Sequence, residues 1–226
     1  ITVHWYPIPY SNHMSYTQRI QAFLSFAYAA KVKASSLQGD IIFATSTPLT
    51  IAIPAIFTAR RLKLPMVFEV RDLWPEMPIA MGALNNPALK LAAKKLEHWA
   101  YKNSAAVIAL SPGMKQGVID TGYSAAKVAV IPNSSDNVEF AHNKASAAKF
   151  RAQRSWLGED PLLVYTGTFG KVNGVGYMVQ LASELKRLNS KVKILLVGEG
   201  AEKLAVISQA KAASVFEDNL FIEPAT

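Results

Sequence analysis

The sequence predicts an α/β protein with parallel sheets, arranged as two Rossmann-like domains. Two observations carry this. Short runs rich in Val, Ile and Leu alternate with longer stretches of helical periodicity from residue 41 to residue 222. That order implies parallel strands, right-handed helical crossovers and a doubly wound sheet. The rhythm also breaks once, over residues 138–158, where the chain is polar and rich in Ala, Ser, Asn and Lys. This stretch reads as a linker with one surface helix, so the domains are expected at 1–137 and 159–226.

Residues 1–7 alternate apolar and polar and read as a strand, and residues 11–15 as a polar loop. Tyr16, Ile20, Phe23, Leu24 and Ala27 then recur at helical spacing, giving a helix that packs on a sheet or lies on a membrane surface. Residues 41–44 form a strand, and Ser46-Thr47-Pro48 offers an N-cap with proline near the first helical position. The helix that follows should kink or restart at Pro54. Pro65 introduces a buried strand over 66–70. Asn86-Pro87 opens a helix whose buried face is Leu89, Ala92, Ala93, Leu96, Trp99 and Ala100. A strand at 105–110 leads to a helix capped by Ser111-Pro112 and closed by Gly122, then a strand at 128–131. The second half gives strands at 162–165, 192–197 and 220–222, with helices at 174–188 and 201–213.

With 226 residues, half of them hydrophobic and 18% charged, the chain has ample material for proper cores. It has no cysteine, which excludes disulfides and thiolate metal sites, and its four histidines lack ligand spacing. The longest apolar run, 49–59, contains Thr50 and Pro54 and falls short of the ~20 residues of a membrane span. Residues 1–10 lack a signal-peptide pattern, so a cytoplasmic protein is expected. The net charge is +8, and the excess of Lys and Arg lies before residue 159. Such a field favours anionic partners; no nucleic-acid-binding motif accompanies it, so nucleic acid is not expected.

Two stretches stand out as sites. After the strand at 66–70 come Arg71, Asp72 and Glu76, separated by a Trp74-Pro75 that cannot extend it. In open α/β sheets, ligands bind beyond the carboxyl ends of the strands. These are the candidate catalytic residues, or else an ion pair of Arg71 with Asp72 or Glu76 pins a loop. In the second half, Tyr165-Thr166-Gly167-Thr168-Phe169-Gly170-Lys171-Val172-Asn173-Gly174 links a strand to a helix. Glycines there allow close backbone approach, a helix N-terminus offers free amides, and Lys171 adds a charge, which suits a diphosphate. The spacing is neither a P-loop nor a dinucleotide fingerprint, and a tight turn without a ligand has the same pattern. Gly198-Glu199-Gly200 is a second such turn; Glu199 could bind a sugar hydroxyl or cap the next helix, and the cap is preferred. The candidate binding residues are Gly167, Thr168, Phe169, Gly170, Lys171, Asn173, Gly174, Gly198, Glu199 and Gly200.

These residues resemble a known family: the retaining family-4 glycosyltransferases of GT-B fold, especially bacterial enzymes of O-antigen and exopolysaccharide assembly. The resemblance rests on Glu69-Val70-Arg71-Asp72-Leu73-Trp74-Pro75-Glu76, Leu110-Ser111-Pro112-Gly113-Met114 and Ile131-Pro132-Asn133 through Asp136. In the second half it rests on Tyr165-Thr166-Gly167 to Gly174 and on Leu195-Leu196-Val197-Gly198-Glu199-Gly200. It implies two sheets facing a cleft, a nucleotide-sugar donor on the second domain, and Arg71 and Asp72 near the reacting sugar or acceptor. It also implies a glycan or lipid-diphosphate acceptor and no required metal or other cofactor; contact with an anionic membrane at the inner face of the plasma membrane is expected from the charge. Ser134 stands where the family usually has glycine, and Thr168 and Asn173 stand where members often carry Arg or Lys. The family's first strand and its paired glutamates would lie outside residues 1–226, so both domains are expected to be incomplete and the chain inactive by itself. The competing readings are a non-catalytic binding scaffold and a sugar-nucleotide epimerase.

Overall fold

The computed structural model describes residues 1–226 except Asn12, His13, Thr47, Met81, Ala83 and Thr226, and of Tyr16 only the backbone. Two of the expected loop residues, the middle of the expected 46–48 cap and the Tyr16 side chain therefore lie outside the described residues. The chain divides into two compact units, Ile1–Ser135 and Asp136–Thr226.

The first unit carries helix α1 (Tyr16–Ala34), strand β1 (Ile42–Thr45), helix α2 (Ala52–Leu62), strand β2 (Met66–Val70) and the short helix α3 (Glu76–Ala80). Helix α4 (Pro87–Lys102), strand β3 (Ala106–Ala109), helix α5 (Pro112–Asp120) and strand β4 (Val128–Val130) complete it. All four strands are parallel and lie in chain order, with Ala44 beside Phe68, Phe68 beside Val107 and Val107 beside Val128. The described strands thus wind in one direction, where the sequence implied a doubly wound sheet. Same-handed crossovers stepping one way put their helices on one face. Accordingly Met66, Phe68 and Val70 are buried, while the alternating Val67 and Glu69 are half-exposed.

Local chemistry explains the helix ends. Ser15 and Gln18 form a reciprocal capping box on α1. Asn86 accepts the amides of Ala88 and Leu89, and Ser111 accepts that of Met114. Pro54 causes no kink, because α2 begins at Ala52 after a 3-10 turn at Leu49–Ile51. Proline therefore occupies the first helical turn, where its missing N–H has no intrahelical partner to lose. Residues 1–10 form no strand; the prolines at 7 and 9 donate nothing to a ladder. Aromatic contacts hold this segment against α1 instead, Tyr6 on Phe26 and Tyr10 on Phe23. Among the described residues no helix is long and apolar enough to cross a membrane.

The second unit has helix α6 (Lys144–Ala152), strand β5 (Leu162–Thr166), helix α7 (Gly176–Arg187), strand β6 (Lys193–Val197), helix α8 (Lys203–Ala212) and strand β7 (Leu220–Glu223). Its three parallel strands also follow chain order. The core is formed by Ile194, Leu196 and Leu220 with Val179, Ala182, Val206 and Ala210. Within the stretch read as a linker, Arg154 makes a two-pronged ion pair with Glu223, at 2.9 and 2.7 Å. Trp156 stacks on Phe221 at 3.8 Å, so the end of this stretch, at Arg154 and Trp156, packs onto β7.

Candidate functional site

The first site loop leaves the carboxyl end of β2. Buried Ser46, just past β1, accepts the Arg71 amide at 2.9 Å and donates its own amide to the Glu69 carbonyl at 2.8 Å. Leu73 and Trp74 pack against the hydrophobic core, and Pro75, joined to Trp74 by a cis peptide bond, is buried. Gly117 of α5 makes room for Leu73: a β-carbon there would lie 2.7 Å from its terminal methyl. The backbone is thus fixed while Arg71 and Glu76 project into solvent and Asp72 is half-exposed. Among the described residues no ion pair joins Arg71 to either carboxylate. Glu76 stands at the start of α3, a helix that sequence reasoning missed because five residues are too few to show periodicity.

Behind this loop Glu97 is buried on α4 and accepts the Tyr101 hydroxyl at 3.1 Å. Burial, reinforced by the nearby Glu76 charge, pushes the Glu97 carboxyl up to about 7. The Tyr101 phenol is pushed upward by burial and by Glu97.

The second site is built from backbone. Phe169 and Val175 bury their side chains in the core and anchor the turn at both ends. The Phe169 side chain is therefore turned into the core, and only its main chain reaches the turn surface. The amides of Gly167 and Phe169 donate to Val197 and Glu199 carbonyls, tying the β5 turn to the β6 turn. The Thr168 carbonyl accepts from the Tyr165 hydroxyl at 3.0 Å and from Asn173 Nδ2 at 2.6 Å. Asn173 thus spends its side chain and its amide inside the loop. The amides of Lys171, Val172, Gly174, Val175 and Gly176 meet no acceptor among the described residues. They gather at the N-terminal end of α7, with the exposed Lys171 among them.

The glycines of the second turn have a role the sequence does not disclose. A β-carbon on Gly198 would lie 1.9 Å from the Gly167 carbonyl oxygen, and one on Gly200 2.5 Å from that of Phe169. Their smallness lets the two turns meet backbone to backbone. Glu199 caps no helix: its carboxylate binds Lys203 Nζ at 2.6 Å, and α8 starts without a side-chain cap. Two turn residues, Ala201 and Glu202, separate Gly200 from a helix that begins at Lys203 rather than Ala201, which puts Glu199 one helical turn before a lysine instead of next to free amides. Among the described residues, no three of His, Asp and Glu come together as metal ligands.

A family model described as a glycosyl transferase 4-like domain matches residues 1–134. A comparison with curated proteins finds no match. Among solved structures the chain is similar to HepE from Anabaena in complex with UDP and glucose, at 15% identity and a TM-score of 0.67, covering 94% of this chain and 53% of that one. It is similar to sucrose-phosphate synthase from Thermosynechococcus elongatus, at 13% identity and a TM-score of 0.72, covering 95% and 52%. A glycosyltransferase from Rickettsia africae gives 14% identity and a TM-score of 0.63, covering 96% and 54%. The chain spans about half the length of these structures, and at such identities the likeness bears on fold alone. The family model covers more than half of the sequence, and the parallel α/β fold of each unit agrees with it: the chain belongs to the glycosyl transferase 4-like family.

Proposed function

We propose that the protein is a retaining glycosyltransferase, passing a sugar from a nucleoside-diphosphate sugar to a hydroxyl of a glycan or lipid-linked acceptor in surface polysaccharide synthesis. The observation that carries this reading is the set of amides of Lys171, Val172, Gly174, Val175 and Gly176, which meet no acceptor among the described residues. Amides fixed at a helix N-terminus and one lysine suit a diphosphate, both in the ground state and as it leaves with added charge. The bond from the anomeric carbon to the phosphate oxygen breaks, and its electron pair stays on the diphosphate. The acceptor oxygen bonds to that carbon on the same face and loses its proton to the departing phosphate oxygen. Arg71 steadies negative charge near the reacting sugar, while Asp72 and Glu76 accept hydrogen bonds from sugar or acceptor hydroxyls. The chemistry so described needs no divalent metal.

The charge of the first unit supports contact with anionic lipid at the cytoplasmic face of a membrane. Ser35 meets Thr58 at 3.3 Å and Arg60 meets Asn103 at 2.6 Å, so the carboxyl ends of α1, α2 and α4 lie together. Lys31, Lys33, Arg60, Arg61, Lys63 and Lys102 cluster at that end. Each such charge contributes ~1 kcal/mol at an anionic surface and is screened by salt. Co-sedimentation at low salt should favour anionic over neutral vesicles; equal binding to both would remove this contact.

HepE is known in complexes with UDP and UDP-glucose, which makes UDP-sugars the first donors to try. Calorimetry with UDP-, GDP-, ADP- and dTDP-sugars tests the donor site of the full-length protein. One nucleotide should bind saturably; failure of all four would overturn the transferase reading.

A further inference from the structure

A recess of about 300 Å³ in the first unit belongs to neither site described above. Its lining comes from the carboxyl-terminal end of α4, with His98, Tyr101 and Lys102, from Tyr123 and Ser124 beyond α5, and from Lys127 just ahead of β4. The strands are parallel, so residues ahead of β3 and β4 stand at the amino end of the sheet, whereas Arg71 follows the carboxyl end of β2. Among the described residues no aliphatic side chain and no carboxylate lines the recess. The rings of Tyr101 and Tyr123, 6.2 Å apart, make its floor. Their hydroxyls go to other partners, Tyr101 to Glu97 and Tyr123 to the Ser104 carbonyl.

Two lysines brought to one recess from separate elements repel each other, and nothing in the fold offsets that. Among the described residues neither Lys102 nor Lys127 has an ion pair. Lys102 is not needed to close α4, because Asn103 donates to the Trp99 carbonyl and Ser104 to those of Ala100 and Tyr101. The carboxyls of the two flanking helices are spent elsewhere. Glu97, the one acid of α4, is buried and accepts the Tyr101 hydroxyl, and Asp120 at the end of α5 accepts from Gln116.

We propose that this recess binds a small soluble phosphomonoester, such as a sugar phosphate, with its phosphate held between Lys102 and Lys127. A monoester carries nearly two negative charges near neutral pH, one for each lysine, and a diester carries only one. The His98 imidazole and the Ser124 hydroxyl add donors at the rim. The two tyrosine rings give apolar surface to a compact body, and the volume falls at the small end of small-molecule sites. A ligand there sits at the end of the sheet away from Arg71, so the proposal does not rest on the transferase reading.

Titrations of the full-length protein at about 0.15 M salt, followed by backbone amide chemical shifts, test this. Glucose 6-phosphate should move the amides of Gly122, Ser124 and Lys127 together and saturably. Glucose should leave them in place, and dimethyl phosphate should bind about tenfold more weakly. Lys102→Gln and Lys127→Gln should each weaken glucose 6-phosphate about fivefold or more, with melting unchanged because both side chains are exposed. Lys90→Gln removes the same charge near the start of α4, about 18 Å away along the helix, and should leave the Kd as it was. The absence of a saturable shift at these amides would overturn the proposal. So would an equal loss from Lys90→Gln, since binding would then follow the overall charge and not the recess. A dimethyl phosphate Kd equal to that of glucose 6-phosphate would remove the monoester. Vesicles containing phosphatidic acid that bind through Lys102 and Lys127, in a protein indifferent to glucose 6-phosphate, would overturn the soluble ligand.

Discussion

The loop after β2 and the turns after β5 and β6 are held in opposite ways, and each displays the same kind of group that holds it. The first is fixed by side chains: Leu73 and Trp74 in the core, Ser46 on the Arg71 amide. It offers side chains, Arg71 and Glu76, to solvent. The second is fixed by main chain, through Gly167 to Val197 and Phe169 to Glu199 hydrogen bonds and through glycines in van der Waals approach. It offers main chain, the amides of Lys171, Val172, Gly174, Val175 and Gly176. A side-chain site should fail when a functional group is deleted. A backbone site should fail when a single methyl group is added.

The largest effect expected from this contrast is at Gly198. Gly198→Ala drives a β-carbon into the Gly167 carbonyl, at a φ of +155° that L side chains rarely adopt. Backbone cannot step aside as a side-chain tip can, so a loss of about 3 kcal/mol is expected. Thermal melting and nucleotide calorimetry should show both lowered stability and lost donor binding. Gly170→Ala is the control: its nearest neighbour would be a Thr168 methyl at 3.7 Å, and stability should hold. Gly174→Ala lies between, with open space but a φ of +57°, for a cost of about 1 kcal/mol.

At the side-chain site, Arg71→Ala and Asp72→Asn should lower kcat about 10²-fold while melting temperature and donor affinity stay nearly unchanged. Loss of an interaction formed only in the transition state has this signature. Unchanged kcat with a lowered melting temperature would make the stretch a structural loop.

The same contrast shows which features the sequence could disclose. Strands such as 66–70 and the caps at Asn86 and Ser111 depend on residues close in the chain, and periodicity and cap chemistry find them. The end of the strand at Val70 is legible because charge and a proline follow it visibly. The approach of Gly198 to Gly167 joins positions that no local pattern relates, so those glycines read only as ligand-facing. Glu199 was misassigned for a similar reason: its choice between a backbone amide and Lys203 depended on where α8 begins. Residues 1–7 alternate like a strand, but alternation does not supply a neighbouring strand. Pro54 suggested a kink only because the helix start was set too early.

A smaller effect should appear behind the first loop. The native Glu97 carboxyl keeps its proton to about 7, whereas an unfolded glutamate loses it near 4.5. Between those values the native state binds more protons, so stability falls as pH rises through the window and levels off above it. Glu97→Gln removes this dependence and should gain about 2 kcal/mol over the parent at pH 8, with the gap closing by pH 4.5. Denaturant titrations at both pH values read this; a gap independent of pH would mean that Glu97 is ionised in the fold. The smallest effect belongs to Lys171→Ala. Loss of one exposed charge beside a bound diphosphate should cost about 1 kcal/mol, or roughly fivefold in donor Kd, with melting unchanged.

Backbone amide chemical shifts during a UDP titration of the full-length protein test the central claim most directly. The amides of Lys171, Val172, Gly174, Val175 and Gly176 should move together and saturate with a single Kd, while Gly167 and Phe169, already donating to Val197 and Glu199, move less. Saturable UDP binding that leaves residues 171–176 unmoved would contradict a diphosphate site made of backbone.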